Sequence, residues 1–121
     1  MFISVTAFRP EGILAKLAFQ MHAVASFIQA NKAPGLIKAE NFSPEKGIRC
    51  TLTHWKSQED MLNYRNNGAH LKAMKKSGKL GKGIATGWED EVFWSKESAI
   101  EKLWSLKGRL NSNYEKDLRL G

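Results

Sequence analysis

The chain has 121 residues, the length of one domain, and can bury a core without disulfides or metals. Hydrophobic residues make up 42% and charged residues 26%, which excludes a disordered chain. The formal net charge is +7, and the single cysteine, Cys50, excludes an internal disulfide framework and a site of several thiolates.

The first predicted strand, Phe2 to Phe8, ends before Arg9 and Pro10. A helix is predicted from Glu11 to about Asn31, with an apolar stripe at helical spacing. The stripe consists of Leu14, Leu17, Ala18, Met21, Ala25 and Ile28. The stretch 13–28 contains Lys16, Gln20 and His22, so we expect it to be too short and too polar to span a membrane. Because no basic segment begins the sequence, we expect a cytoplasmic protein.

Two further strands are predicted, Leu36 to Phe42 and Ile48 to Trp55, joined as a hairpin by residues 43–47. Ser57 to Asp60 resembles a capping box that opens a second helix. The sequence Asn-Asn-Gly at 66–68 predicts a break in that helix. Six basic residues between 65 and 82 are accompanied by no acid, and a solvated helix face or an anion-binding patch would both account for them. The segment lacks interleaved aromatic residues, so nucleic acid is not an expected partner.

Residues 77–83 are glycine- and lysine-rich and are predicted to form a loop. The fourth strand is expected within Ile84 to Trp94, with an interruption at 89–91. Ser95 is predicted to cap a last helix, whose apolar residues are Ala99, Ile100, Leu103, Leu106 and Leu110. Residues 105–121 are expected to be the end of that helix and a tail.

The predicted order is β-α-β-β-α-β-α, the ferredoxin-like α+β pattern with an antiparallel sheet and an extra C-terminal helix, in a single domain over 1–121. One sheet face would carry Ile3, Val5 and Ala7 with Ile48, Cys50 and Leu52, and would be covered by helices. The other face would carry Phe2, Ser4, Thr6 and Phe8 with Arg49, Thr51, Thr53 and Trp55. Because that second face has three large aromatic residues, we expect a second copy to cover it in a homodimer through the sheet face.

The middle of the chain resembles the antibiotic-biosynthesis-monooxygenase-like group of dimeric α+β barrels. The resemblance rests on Pro34 to Glu40, on Arg49 to Glu59, and on Gly68 to Met74 with its Gly-x-His element. It implies a barrel of two sheets and a small-molecule pocket between sheet and helices. It also implies a role for Trp55, although Thr51 stands where the quinone-forming monooxygenases have Asn. For haem-degrading members, Tyr64 and Met74 fall at the positions of the Trp and of the iron ligand.

The three histidines are the candidate acid-base groups near neutral pH. His54 and His70 are predicted to meet at one pocket mouth as a general base or a polar anchor, and a partly buried structural role is the alternative for each. Further pocket-lining candidates are Trp55, Tyr64, His22, Phe42, Met74 and Trp88. No metal site is predicted, because no Asp or Glu accompanies the histidines.

Three functions remain open at this stage. The first is oxidation of a small aromatic compound by a cofactor-independent monooxygenase, in which a pocket base deprotonates the substrate and the carbanion reduces oxygen. The second is a dimer that binds a hydrophobic or aromatic molecule without converting it. The third is haem binding or degradation, the one reading that involves a cofactor.

Overall fold

The computed structural model describes residues 1–105, with residues 76–80 described by their backbone alone. Its elements are β1 (Phe2–Pro10), α1 (Ile13–Lys32), β2 (Leu36–Phe42), β3 (Arg49–Trp55), α2 (Gln58–Arg65), α3 (Gly68–Leu80), β4 (Gly81–Glu89) and α4 (Lys96–Ser105). The predicted element order is therefore confirmed, including the break between α2 and α3. Leu106, Leu110 and the predicted tail lie outside the described residues.

The four strands form one antiparallel sheet in the order β2-β3-β1-β4. In the central pair, Phe2 lies opposite Trp55 and Phe8 opposite Arg49, so the register is fixed over seven residues. A sheet with this strand order and with two connecting helical segments has the ferredoxin-like topology, as the sequence predicts.

The sheet face that carries Ile3, Val5 and Ala7 is covered by α4, and we call it the α4 face. Its core consists of Ile3, Val5, Ala7, Ile48, Cys50, Leu52, Ile84, Ala99, Ile100 and Leu103. Ala99 and Leu103 of α4 are fully buried there. Burying these side chains removes most of the apolar surface of the central strands from water, which is the main favourable term in folding.

The opposite face, which carries Phe2, Ser4, Thr6 and Phe8, is covered by α1, α2 and α3, and we call it the cleft face. Phe8 stacks on Phe19 of α1 with ring centroids 4.8 Å apart. At the other end Phe2 and Trp55 form a buried cluster with Met61 of α2. The prediction that this face awaits a second copy is therefore wrong, because helices of the same chain lie over it.

The side of α1 that faces the domain is built mainly from small residues, with the half-buried Phe19 and Phe27, whereas most of its large apolar residues face solvent. Ser26 and Ala30 are buried, and Ala15, Ala18 and Ala23 are half-buried. By length and composition alone α1 meets the criterion for a membrane-crossing helix, at 20 residues with a hydropathy of 1.2, so the expectation that it is too short is not upheld. Core helices and signal sequences meet the same criterion.

The glycine- and lysine-rich stretch 77–83 is not a loop. Residues 77–80 end α3 and residues 81–83 begin β4. A side chain at Gly83 would meet the Phe8 ring 2.8 Å away, and one at Gly81 would meet the carbonyl oxygen of Arg9. These glycines therefore allow close approach of β1 rather than a turn.

Two other local signals behave as their chemistry predicts. The Ser57 hydroxyl accepts the backbone N–H of Asp60 at 3.1 Å, and the Ser95 hydroxyl accepts that of Ser98 at 3.1 Å. The strand β4 ends at Glu89, whereas the sequence placed the fourth strand within a range that extends to Trp94. It ends there because the Asp90 carboxylate accepts the backbone N–H of Glu91 at 2.7 Å and turns the chain away from the sheet.

Candidate active site in the cleft

The floor of the cleft is made of small hydroxyl side chains on the two central strands. Ser4 and Thr6 lie on β1, and Thr51 and Thr53 lie beside them on β3. Ser4 and Thr6 are only half-buried, although β1 is a central strand and α1 to α3 lie over this face. Small residues on the strands thus face small residues on α1. Ser4, Thr6 and Thr51 therefore keep partial contact with solvent, whereas Thr53 is buried.

Three rings form a row at one end of the cleft, where β3, α2 and α3 meet. The rings of Trp55 and Tyr64 lie 5.2 Å apart, and those of Tyr64 and His70 lie 4.7 Å apart. The indole N–H of Trp55 donates to the Thr53 hydroxyl at 2.8 Å, so a fully buried Trp has its one donor satisfied. The row brings together three of the side chains that the sequence nominated.

Tyr64 connects this row to α1. Its hydroxyl donates to the backbone carbonyl of Ser26 at 3.2 Å, and burial raises its pKa well above the ordinary value of 10.0. The phenol therefore stays neutral at physiological pH and acts as a hydrogen-bonding group. The Ser26 hydroxyl is buried next to it and has no partner among the described residues, which leaves a polar group available to a bound molecule or water.

His70 is held in a defined orientation by two backbone contacts. Its backbone N–H donates to the side-chain oxygen of Gln29 at 2.9 Å, and its Nδ1 lies 3.3 Å from the carbonyl oxygen of Arg65. A carbonyl can only accept, so this contact requires the proton on Nδ1 and leaves Nε2 as a base. The pKa of His70 is lowered, mainly by burial, with a smaller opposing effect from the Arg65 carbonyl. At neutral pH the ring is therefore uncharged.

Gln29 is a positioning residue that sequence reasoning missed. Its side-chain N–H groups donate to the carbonyl oxygens of Tyr64 at 3.1 Å and Asn67 at 2.9 Å, while its oxygen accepts from His70. The sequence gives little signal for this role, because Gln29 is one of three amides in α1, with Gln20 and Asn31. Because its partners are backbone groups, no pattern of side chains indicates this role.

His54 does not meet His70, and the prediction that the two share a pocket mouth is wrong. Consecutive strand residues point to opposite faces, so His54 lies on the α4 face while Trp55 lies on the cleft face. His54 is fully buried, and its Nε2 accepts the backbone N–H of Trp94 at 3.1 Å. Phe42 and Trp88 pack on the same α4-face core, so they line no common cleft with His70 either.

The remaining predicted residues lie on the helices. His22 is half-buried on α1, and Met74 on α3 is 43% exposed. A side chain so open to solvent does not build the enclosed pocket that haem iron needs, so the described residues do not fit a haem site at Met74. Within residues 1–105 no three His, Cys, Asp or Glu side chains come close enough to hold a metal ion.

A basic depression lies at the far end of the cleft face, beyond the stacked rings of Phe8 and Phe19. Its volume is about 340 Å³. It is lined by Pro10, Lys16, Phe19, Ser43, Lys46, Gly47 and Arg49. Three of these side chains are cationic and none is acidic, so its charge favours an anionic group on whatever molecule enters.

Comparison with known proteins agrees with the fold. No protein-family model matches the sequence, and no curated protein matches it. Among solved structures, SnoaB, a cofactor-independent oxygenase from Streptomyces nogalater, superposes with a TM-score of 0.62 at 10% identity, over 78% of this chain and 97% of that chain. A candidate antibiotic biosynthesis monooxygenase from Nitrosomonas europaea gives 0.64 at 9% identity, over 76% and 100%.

A dimeric ferredoxin-like protein from Jannaschia sp. CCS1 gives a TM-score of 0.63 at 14% identity, over 74% of this chain and 98% of that chain. The chain thus has the ferredoxin-like fold of antibiotic-biosynthesis-monooxygenase-like proteins, and the predicted resemblance is confirmed for the fold. Identities this low carry the architecture and not the activity.

Proposed function

We propose that this protein binds a small aromatic molecule in the cleft between its sheet and helices α1 to α3, and oxidises it with molecular oxygen without a bound cofactor. The observation that carries the proposal is the row of Trp55, Tyr64 and His70 beside a floor of hydroxyl groups. Aromatic walls with a few convergent polar groups suit a flat, partly polar ligand. The fold shared with a cofactor-independent oxygenase supports the reaction class.

His70 is the proposed general base. Its Nε2 would take a proton from an activated C–H or O–H group of the substrate, because Nδ1 already carries a proton and faces Arg65. The substrate carbanion would then pass electrons to oxygen and form a carbon–oxygen bond. For an anthrone-like substrate, loss of water from the resulting hydroperoxide gives a quinone, so one methylene and one O₂ become one carbonyl and one water.

The half-buried Tyr64 has the proposed role of holding the ring system, and the fully buried Trp55 packs behind it. The chain departs from the monooxygenase pattern at Thr51, whose hydroxyl donates to the side-chain oxygen of Asn41 at 2.9 Å. An Asn side chain is therefore present on the cleft face, but it projects from β2 instead of β3.

Binding without turnover is the second candidate function, and the Thr51 substitution is the observation that favours it. A pocket that lacks an oxygen-positioning amide at this position would still hold an aromatic ligand. In both cases we propose a homodimer in the cytoplasm. The homodimer is supported by the dimeric ferredoxin-like neighbour.

The experiment measures binding and turnover separately. Dithranol, an anthrone, is titrated against the wild type by tryptophan fluorescence, and its oxygen uptake is followed by electrode. His70→Gln keeps a donor toward Arg65 but removes the base, and Lys56→Ala is the control because Lys56 is exposed outside the cleft. We expect His70→Gln to bind but to lose at least ~100-fold in uptake rate, the upper part of the range for a general base.

Two outcomes would contradict parts of the proposal. Equal uptake by wild type, His70→Gln and a protein-free blank would exclude catalysis while leaving binding. If neither the wild type nor Trp55→Leu shows a saturable fluorescence change with dithranol, the cleft is excluded as a binding site for aromatic molecules. A Soret shift on titration with micromolar haem would instead favour the haem reading.

A further inference from the structure

Helix α1 exposes a continuous row of large apolar side chains on the side that faces away from the domain. Leu14 is 82% exposed, Leu17 62%, Met21 75%, Val24 49% and Ile28 52%, and we call these five residues the α1 seam. A helix that packs on a domain normally turns its largest apolar residues inward. Here the inward side carries small residues together with the half-buried Phe19, His22, Phe27 and Gln29, and the five seam residues stay exposed among the side chains that the structure describes.

The spacing of the seam is specific. Its residues follow one another at intervals of three, four, three and four, which is the a and d pattern of a heptad repeat. A strict a and d stripe is narrower than the face of an ordinary core helix and is typical of a coiled-coil contact. No Asp, Glu, Lys or Arg occurs between Leu17 and Asn31, so no charge next to the seam opposes a helix against it.

We propose that the α1 seam is a self-association surface, on which α1 of a second copy packs antiparallel about a two-fold axis. In this arrangement Leu17 shares a layer with Ile28 of the second copy, and Met21 shares one with Val24 of the second copy. Each pair occurs twice by symmetry, which gives four apolar layers. The small side chains of Ala18 and Ala25 beside these layers allow the helices to approach closely.

Charge favours the antiparallel orientation. α1 carries Lys32 in its last turn and no acidic residue in its first, and Glu11 precedes its start. An antiparallel pair brings Lys32 near Glu11 of the second copy and aligns the helix dipoles favourably. A parallel pair would instead bring Lys16 next to Lys16 of the second copy, and Lys32 next to Lys32 of the second copy, so that like charges repel.

The extent of the seam fits a second copy better than other occupants. Together with Ile13, the seam puts six exposed large apolar side chains on one helix, and a contiguous apolar patch of this kind marks an interaction surface. The seam also points away from the cleft, so this inference does not depend on the proposed oxidation.

The test is sedimentation equilibrium of the full chain between about 1 and 100 μM. Met21→Glu places a charge at the centre of the seam, Met21→Leu preserves it, and Val92→Glu is the control because Val92 is 61% exposed but lies outside α1. We expect a dimer for wild type, Met21→Leu and Val92→Glu, and a dissociation constant raised at least ~100-fold in Met21→Glu, since an unpaired charge would be buried. Far-ultraviolet circular dichroism verifies that each variant is folded.

Orientation is tested by disulfide formation in single-cysteine additions, since native Cys50 is buried. A mixture of Leu14→Cys and Asn31→Cys proteins should give the mixed dimer, and Leu14→Cys alone should not cross-link to itself. A wild type that is monomeric at 100 μM overturns the proposal, as does a dimer that Met21→Glu leaves intact. Co-sedimentation of wild type, but not Met21→Glu, with phosphatidylcholine–phosphatidylglycerol vesicles, together with a monomer in solution, assigns the seam to a membrane surface instead.

Discussion

The side-chain oxygen of Gln29 accepts the backbone N–H of His70 at 2.9 Å, and this contact joins the long helix to the start of α3. The other end of the same amide holds the carbonyl oxygens of Tyr64 and Asn67. One side chain thus positions both the phenol and the imidazole of the candidate site relative to α1.

Replacing Gln29 by Leu should destabilise the protein and disturb the site together. Three hydrogen bonds are lost and two carbonyl oxygens lose a donor, so we expect a loss of about 2 kcal/mol in the free energy of unfolding. Urea unfolding measures it. Gln20→Leu is the control, because Gln20 only accepts a bond from Arg49 on the surface. Equal losses in both variants would show that Gln29 has no special positioning role.

The cover of the α4 face is tested by a pair of leucines. Leu103 is fully buried on α4, whereas Leu17 is 62% exposed on α1. Leu103→Ala should lose about 2–5 kcal/mol of unfolding free energy. Leu17→Ala should stay within about 0.5 kcal/mol when measured under conditions in which the chain is monomeric. The opposite ranking would mean that α1, and not α4, buries its large side chains in the core.

Stability should fall as the pH drops below about 6.5. Burial is the first cause that lowers the pKa of His54 and of His70 from their ordinary value of 6.5, with Lys38 also lowering that of His54 and Glu40 raising it. The unfolded chain therefore takes up protons before the native one does. The stabilising contribution is complete above pH 6.5 and is lost as the pH falls toward the native pKa values.

The melting temperature of wild type between pH 7.5 and 5 measures this loss. His54→Gln supplies an oxygen that can accept the Trp94 N–H without titrating, and it should flatten the pH dependence; His70→Gln should do the same for its own share. Asp90 does not interfere, because its pKa is lowered from 3.8, first by the hydrogen bond from Trp94, and its effect begins at lower pH. A slope that neither variant changes would contradict the assignment.

Two glycines with a positive φ should differ in their tolerance of alanine. Gly12 has φ of 91° with no heavy atom within 4 Å of an added Cβ, whereas Gly35 has φ of 85° and its added Cβ would meet the side chain of Asp60. Gly12→Ala should lose about 1–3 kcal/mol from backbone strain alone, because its φ of 91° with ψ of 161° is a conformation that only glycine readily adopts. Gly35→Ala should lose more, and Asp60→Ala should recover part of the difference. Thermal unfolding measures all three, and equal losses at the two positions would show that the Asp60 contact yields freely.

Local chemistry made most of the fold predictable from the sequence. The caps at Ser57 and Ser95, the break at Gly68 and the alternation of strand residues depend on near neighbours, and all of them are found as expected. Alternation defines two sheet faces but does not say which helix covers each. The arrangement depends on α1 turning its small residues toward the domain, whereas an apolar stripe predicts that the large residues are buried. The prediction that His54 and His70 meet failed for the same reason, because α3, which carries His70, covers the sheet face opposite to the one on which His54 lies.

The strand β3 acts as a wall between two compartments. Its even-numbered residues Cys50, Leu52 and His54 enter the dry core beneath α4, and its odd-numbered residues Thr51, Thr53 and Trp55 face the cleft. A substitution scan along this strand should therefore alternate in phenotype from one position to the next. Changes at even positions would lower the yield of folded protein, whereas changes at Thr51 would alter ligand preference and leave the yield nearly intact. A change at Thr53 would affect both, because its hydroxyl accepts the indole N–H of the buried Trp55. The period of that alternation would separate foldability from specificity without any knowledge of the natural ligand.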